Sequence, residues 1–134
     1  MYQKGIELSP SDGHLLATYA HFLSSIGQSI YNQRANVCFQ KALKLLPGNP
    51  QYTLWYAKLL KKMGQLNKAE LMYRVSLEQS KMMDDIEPIA ICNYATFLFK
   101  IRKDVIQAKA LFEVGLSTYP NHKGLKKNYR CVVK

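Results

Sequence analysis

Acidic residues are scarce in this chain. Nine Asp and Glu stand against 19 Lys and Arg in 134 residues, a formal charge of +10. Cysteine is also sparse. Cys38, Cys92 and Cys131 are odd in number, far apart, and form no Cys-x-x-Cys pair or Cys/His cluster. That excludes a disulfide framework and points to a reduced, cytoplasmic compartment. No window approaches the ~18 consecutive apolar residues a bilayer-spanning helix needs, so membrane insertion is not expected. The opening Met1-Tyr2-Gln3-Lys4-Gly5 lacks the basic-then-apolar plan of a signal peptide. A glycine-rich phosphate loop, a Ser/His/Asp set and a His-Glu-x-x-His motif are all missing, so neither catalysis nor a cofactor is expected. Sustained period-two alternation is missing too, which argues against strands.

What is present is a repeat. Tyr19-Ala20-His21-Phe22-Leu23 returns as Tyr56-Ala57-Lys58-Leu59-Leu60 and again as Tyr94-Ala95-Thr96-Phe97-Leu98, at separations of 37 and 38 residues. Behind each block an alanine is followed by an aromatic four residues on, then a small residue, then an apolar one. The sets are Ala35, Phe39, Ala42, Leu43; Ala69, Tyr73, Ser76, Leu77; and Ala108, Phe112, Gly115, Leu116. Tyr2, Gly5 and Ile6 read as the end of a preceding copy. Spacings of three and four place such residues on one helical face, where small side chains let two helices approach.

The punctuation agrees. Pro10, Pro47 and Pro120 follow the small residue by five, where a helix should stop. Pro50 and Pro88 suit the first turn of the next helix. Gly27 and Gly64 close the first helix of a pair. Asn67 with Glu70, and Asp104 with Gln107, read as caps with a reciprocal partner. The predicted helices are 14–26, 30–46, 51–63, 67–82, 88–101, 105–118 and one from about 122. Residues 80–85 carry no proline, so the fourth helix is expected to run long. The additional Ser29-Ile30-Tyr31 lengthens either a turn or a helix.

In these features the chain resembles the tetratricopeptide repeat family. The resemblance implies an all-α, right-handed superhelical solenoid of antiparallel helix pairs. Its divisions would be 1–10 (the end of a preceding repeat), 11–47, 48–83 and 84–120 (three repeats) and 121–134 (a partial repeat). Unit three departs from the pattern, with Arg102-Lys103-Asp104 where the turn glycine stands in the others. The array opens and closes inside a helix pair, so a piece of a longer protein, or weak self-association through the solenoid ends, is expected.

The family implies a scaffold that binds another protein, with the first helix of each pair lining the concave face. Carried over, the peptide-binding candidates are His21, Gln51, Trp55, Lys58, Lys61, Lys62, Asn93, Thr96, Lys100 and Lys127. Lys58, Lys61 and Lys62 fall at i, i+3 and i+4 and form one basic stripe, which either clamps an acidic peptide or is a solvated face. Trp55 is either a binding anchor or packing against the adjacent repeat. The two-carboxylate clamp for chaperone tails is missing, since its places hold Ala17, His21, Trp55, Ile89 and Asn93. The half-a-tetratricopeptide variant of RNA-processing factors would place a glutamate near Leu23, Leu60 and Leu98, where none stands. RNA therefore ranks below protein as a partner, and positioning an enzyme as a non-catalytic subunit is a further alternative. His14 and His21, seven apart, and Asp84, Asp85 and Glu87 are weak grounds for a metal or acid–base site.

The charge is lopsided. Residues 58–134 hold fifteen of the basic side chains against seven acids, and 123–134 hold Lys123, Lys126, Lys127, Arg130 and Lys134 with no acid. Such a field favours acidic partners.

Overall fold

The computed structural model describes residues 12–134. Tyr2, Gly5, Ile6 and Pro10, the expected end of a preceding repeat, lie outside the described residues. The described chain is all-α: α1 Gly13–Ile26, α2 Ser29–Leu45, α3 Pro50–Lys62, α4 Leu66–Gln79, α5 Glu87–Lys100, α6 Val105–Thr118 and α7 Lys123–Val133. Short loops join α1 to α2, α2 to α3, α5 to α6 and α6 to α7, so these neighbours run antiparallel. Two compact units divide the chain, Met1–Met72 and Tyr73–Lys134, and the division falls within α4. In the first, α1 packs on α2, and α3 packs on both. In the second, α5, α6 and α7 pack mutually.

The repeated residues form the interior. Tyr19, Ala20, Tyr56, Ala57, Tyr94 and Ala95 are all buried, as are Ala35, Phe39, Ala42, Ala69, Tyr73, Ser76, Ala108 and Phe112. Burying one large apolar side chain contributes about 1.5–3 kcal/mol. The small-residue position is set by distance. A Cβ on Gly115 would lie 3.2 Å from both Ile91 and Leu125, so a methyl there would require those side chains to give by a few tenths of an ångström where α6 meets α5 and α7. The block tyrosine Tyr56 is more than filler. Its ring lies 5.6 Å from that of Phe39, and its hydroxyl donates to Asn36 Oδ1 at 2.7 Å, tying α3 to α2.

Helix ends follow local chemistry. Asp12 and Asn49 each accept from a first-turn amide, and Pro50 takes the start of α3. Gly27 (φ 83°) and Gly64 (φ 82°) make the left-handed turns after α1 and α3. After α5 the same service falls to Lys103, at φ 59°. A non-glycine residue there costs about 1–2 kcal/mol from Cβ–carbonyl crowding. Lys103→Gly is therefore expected to stabilise the protein by about 0.5–1 kcal/mol after the added unfolded-state entropy is subtracted. Urea titration checks this, and a destabilised variant would mean that the lysine side chain compensates for its backbone.

Four expectations need correction or sharpening. The fourth helix does not run to 82. It stops at Gln79, and Met82 turns left-handed at φ 69°. Its amide donates to Glu87 Oε1, which also accepts from the Tyr119 hydroxyl at 2.6 Å. A carboxylate just beyond the loop, tied to a tyrosine 32 residues on, thus shapes it, and that contact pushes the Tyr119 pKa up to about 12. The fourth helix already runs from Leu66, so Asn67 lies within its first turn and not ahead of it. Asp104 caps α6 through Gln107 N, but not reciprocally, since its own amide donates to the Leu98 carbonyl. Finally, Ser29-Ile30-Tyr31 adds a helical turn, so α2 has 17 residues where α4 and α6 have 14 each.

Candidate functional site

Four residues of α3 and one of α1 set up the site. Lys58, Lys61 and Lys62 share the exposed side of α3 because the opposite side, with Tyr56, Ala57, Leu59 and Leu60, is buried. One turn earlier, Trp55 lies half-buried and stacks on His21 of α1, ring centroids 4.0 Å apart and planes 10° apart. The stack continues along the two helices. Tyr52 lies 5.4 Å from Trp55, and His14 meets Tyr52 edge-on at 5.7 Å, with His14 Nδ1 2.8 Å from the Tyr52 hydroxyl. Such aromatic pairs contribute about 0.5–1.5 kcal/mol each beyond their buried area.

Between the ends of α1 and α3 lies a cavity of about 420 Å³, lined by His21, Ser24, Ser25, Trp55, Lys58, Leu59, Lys61 and Lys62. No described acidic residue lines it. Lys62 Nζ donates to the Ser24 carbonyl at 2.7 Å, which anchors α3 to the C-terminal end of α1. A cation suits that carbonyl-rich end. Ser24 and Ser25 donate their own hydroxyls back to the carbonyls of His21 and Phe22. Lys58 keeps much of its side chain in solvent, yet burial around its ammonium group lowers its pKa and Lys61 adds to the effect. Burial likewise lowers the His21 pKa, with Lys58 and Lys62 contributing.

Of the ten sequence candidates, His21, Trp55, Lys58, Lys61 and Lys62 meet at this cavity. Gln51 does not: it sits half-buried in the first turn of α3, and the cavity lies toward the other end. Asn93 and Thr96 are half-buried on α5, where the Asn93 amide donates to the Ile89 carbonyl of its own helix. Lys100 and Lys127 are exposed in the second unit. The ten candidates did not include Ser24, Ser25 or Leu59, although the family resemblance places both serines among the inward-facing residues of α1. The two serines stand three and four residues after His21, the same spacing that picked out the lysines.

Trp55 resolves in both directions. It packs on the neighbouring pair, through His21, and also lines the cavity. His14 and His21 are held in separate aromatic contacts, and Glu87 holds the 80–86 loop. Among the described residues no group of His, Cys, Asp and Glu is arranged to hold a metal ion, and no helix is long and apolar enough to cross a membrane.

Comparison with known families agrees with this geometry. Residues 38–71 match the family described as tetratricopeptide repeat, a stretch that takes in the end of α2, all of α3 and the start of α4. The matched stretch is a tetratricopeptide repeat, and the all-helical fold around it is consistent with that family. That family mediates protein–protein interaction and is typically a non-catalytic scaffold. The comparison with curated proteins returns no match.

Proposed function

We propose that the chain is an interaction scaffold whose first unit receives an acidic, extended segment of another protein at the α1–α3 cavity. The repeat divisions at 11–47, 48–83 and 84–120 belong to the same proposal. The observation that carries it is a cavity bounded by three ammonium groups and a His–Trp stack, with no described acid among its walls. Unbalanced positive charge around a concavity raises the local concentration of an anionic ligand. The edges of the His21–Trp55 pair offer apolar area beside it, so an acidic segment carrying one apolar residue fits best.

Selection of random peptides on the immobilised protein tests this without a known partner. Enriched sequences are expected to carry Asp or Glu around one apolar residue. Their affinity is expected to fall several-fold between 50 and 200 mM salt, because exposed charge is screened over about 8–10 Å. Neutral or basic consensus sequences would contradict the reading.

A second reading rests on α7. Lys123, Lys127 and Arg130 recur at four and seven residues and so share one side of the helix, exposed to solvent, with exposed Lys134 just past its end. A basic stripe of this kind also suits RNA. Nuclease-sensitive retention of RNA, with no acidic peptide selected, would favour it.

A further inference from the structure

The donors of the α1–α3 cavity narrow the kind of anion it takes. A planar carboxylate, like a phosphate, can pair with the two-pronged guanidinium of arginine, so what bears on the choice is how lysine acts. None of the lining residues is arginine; all three cations are lysines. Lysine binds as a point charge with three rotatable donors, a geometry that serves a tetrahedral anion from several directions. The hydroxyls of Ser24 and Ser25 already donate to helix carbonyls, so the ammonium groups must supply the charged donors. Lys62 has one N–H committed to the Ser24 carbonyl and two left over, while Lys58 and Lys61 bring three each.

Charge number points the same way. Three ammonium groups at i, i+3 and i+4 repel one another, and no described acid in the wall offsets them. A phosphomonoester carries about −1.5 to −2 charges and three acceptor oxygens at pH 7, so it relieves more of that repulsion than a single carboxylate does. The volume, about 420 Å³, exceeds what a bare phosphate ion fills and falls in the range of small-ligand pockets. Trp55 and His21 supply a wall for the carbon atoms that carry the phosphate.

Resting on the assignment of this cavity as the docking surface, we propose that it is a receptor for a phosphorylated serine or threonine side chain of a partner polypeptide. The phosphate sits between Lys58, Lys61 and Lys62, and the flanking peptide crosses the His21–Trp55 edge.

Trp55 is the sole tryptophan of the sequence, so its emission reports on the cavity directly. Three blocked single residues serve as probes at constant ionic strength and pH 7.5: N-acetyl-phosphoserine methylamide, the glutamate analogue and the serine analogue. The phosphoserine probe is expected to change Trp55 emission with at least ten-fold tighter apparent binding than the glutamate probe, and the serine probe to give no change. Lys58→Ala combined with Lys61→Ala is expected to weaken the phosphoserine response at least ten-fold while the far-ultraviolet circular dichroism stays that of the parent. Equal responses to phosphoserine and glutamate would overturn the phosphate assignment and leave the acidic-segment reading standing. An unchanged phosphoserine response in the double variant would overturn it by placing the phosphate elsewhere. Absence of any response, or binding seen only with anionic lipid vesicles, would overturn it as well. Loss of the acidic peptide consensus in the selection experiment is a separate result, and it removes the docking assignment itself.

Discussion

Replacing Ala69 by arginine is expected to remove most or all of the stability of the fold. Ala69 is fully buried on α4, one turn before Tyr73 and two before Ser76, which are buried on the same side. Alanine stands there because the position has no room. Arginine adds a long side chain and a charge that no described geometry at that position prepares for. Overpacking alone costs about 1–3 kcal/mol, and an unpaired buried charge adds several more. Domains of this size have about 5–15 kcal/mol in total. In a repeat array each pair also depends on its neighbours, so damage at one seam spreads. A circular-dichroism melt is expected to show either a midpoint lowered by tens of degrees or no cooperative transition. A melt that overlays the parent would mean that the Ala–aromatic–small pattern does not mark the helix–helix seam.

The second large effect concerns binding. Changing Lys58, Lys61 and Lys62 together to glutamate shifts the cavity by six charge units. For an acidic peptide, each reversed charge a few ångströms away is worth on the order of 1 kcal/mol at an effective dielectric between that of water and a protein surface. The sum corresponds to an affinity loss of about 100-fold or more at low salt. The triple alanine variant removes attraction without adding repulsion and is expected to lose roughly half of that free energy. Because Lys58 and Lys61 point to solvent, the helix content should remain that of the parent, while Lys62→Glu also gives up the bond to the Ser24 carbonyl. Calorimetry on a selected acidic peptide measures the loss. Parent-like affinity in the glutamate variant would remove the cavity as the binding surface.

Much of the architecture is written locally and could therefore be read from the chain. The Tyr-Ala blocks, the alanine–aromatic–small sets and the Gly and Pro punctuation place the helices because each signal acts within one or two turns. Lys103 illustrates a limit. Its left-handed backbone matches that of Gly27 and Gly64, but no side-chain signal marks it. The stop at Gln79 shows another. Glu87 and Tyr119 shape the loop beyond it, and Tyr119 is 32 residues from Glu87. No window of sequence contains that contact.

The candidate site divides in the same manner. The lysine stripe was legible because one helix carries it. The His21–Trp55 stack depends on how α1 and α3 are rotated about their own axes, which a repeat period of 37 residues does not specify. The anchoring of Lys62 on the Ser24 carbonyl was hidden for a similar reason. A lysine's sequence position says where its stem begins and not which backbone oxygen it reaches. Gln51 was chosen by helix face alone, and it falls at the wrong end of α3 for the cavity.

The most direct test of the docking assignment is a nitrogen-15 NMR titration of the protein with a selected acidic peptide. The single indole N–H of Trp55 gives one resolved signal inside the cavity. The account predicts that this signal and the amides of His21, Ser24, Ser25 and 58–62 move together and saturate at one dissociation constant. Perturbations confined to 123–134, with the Trp55 indole unmoved, would contradict it and assign binding to the basic side of α7.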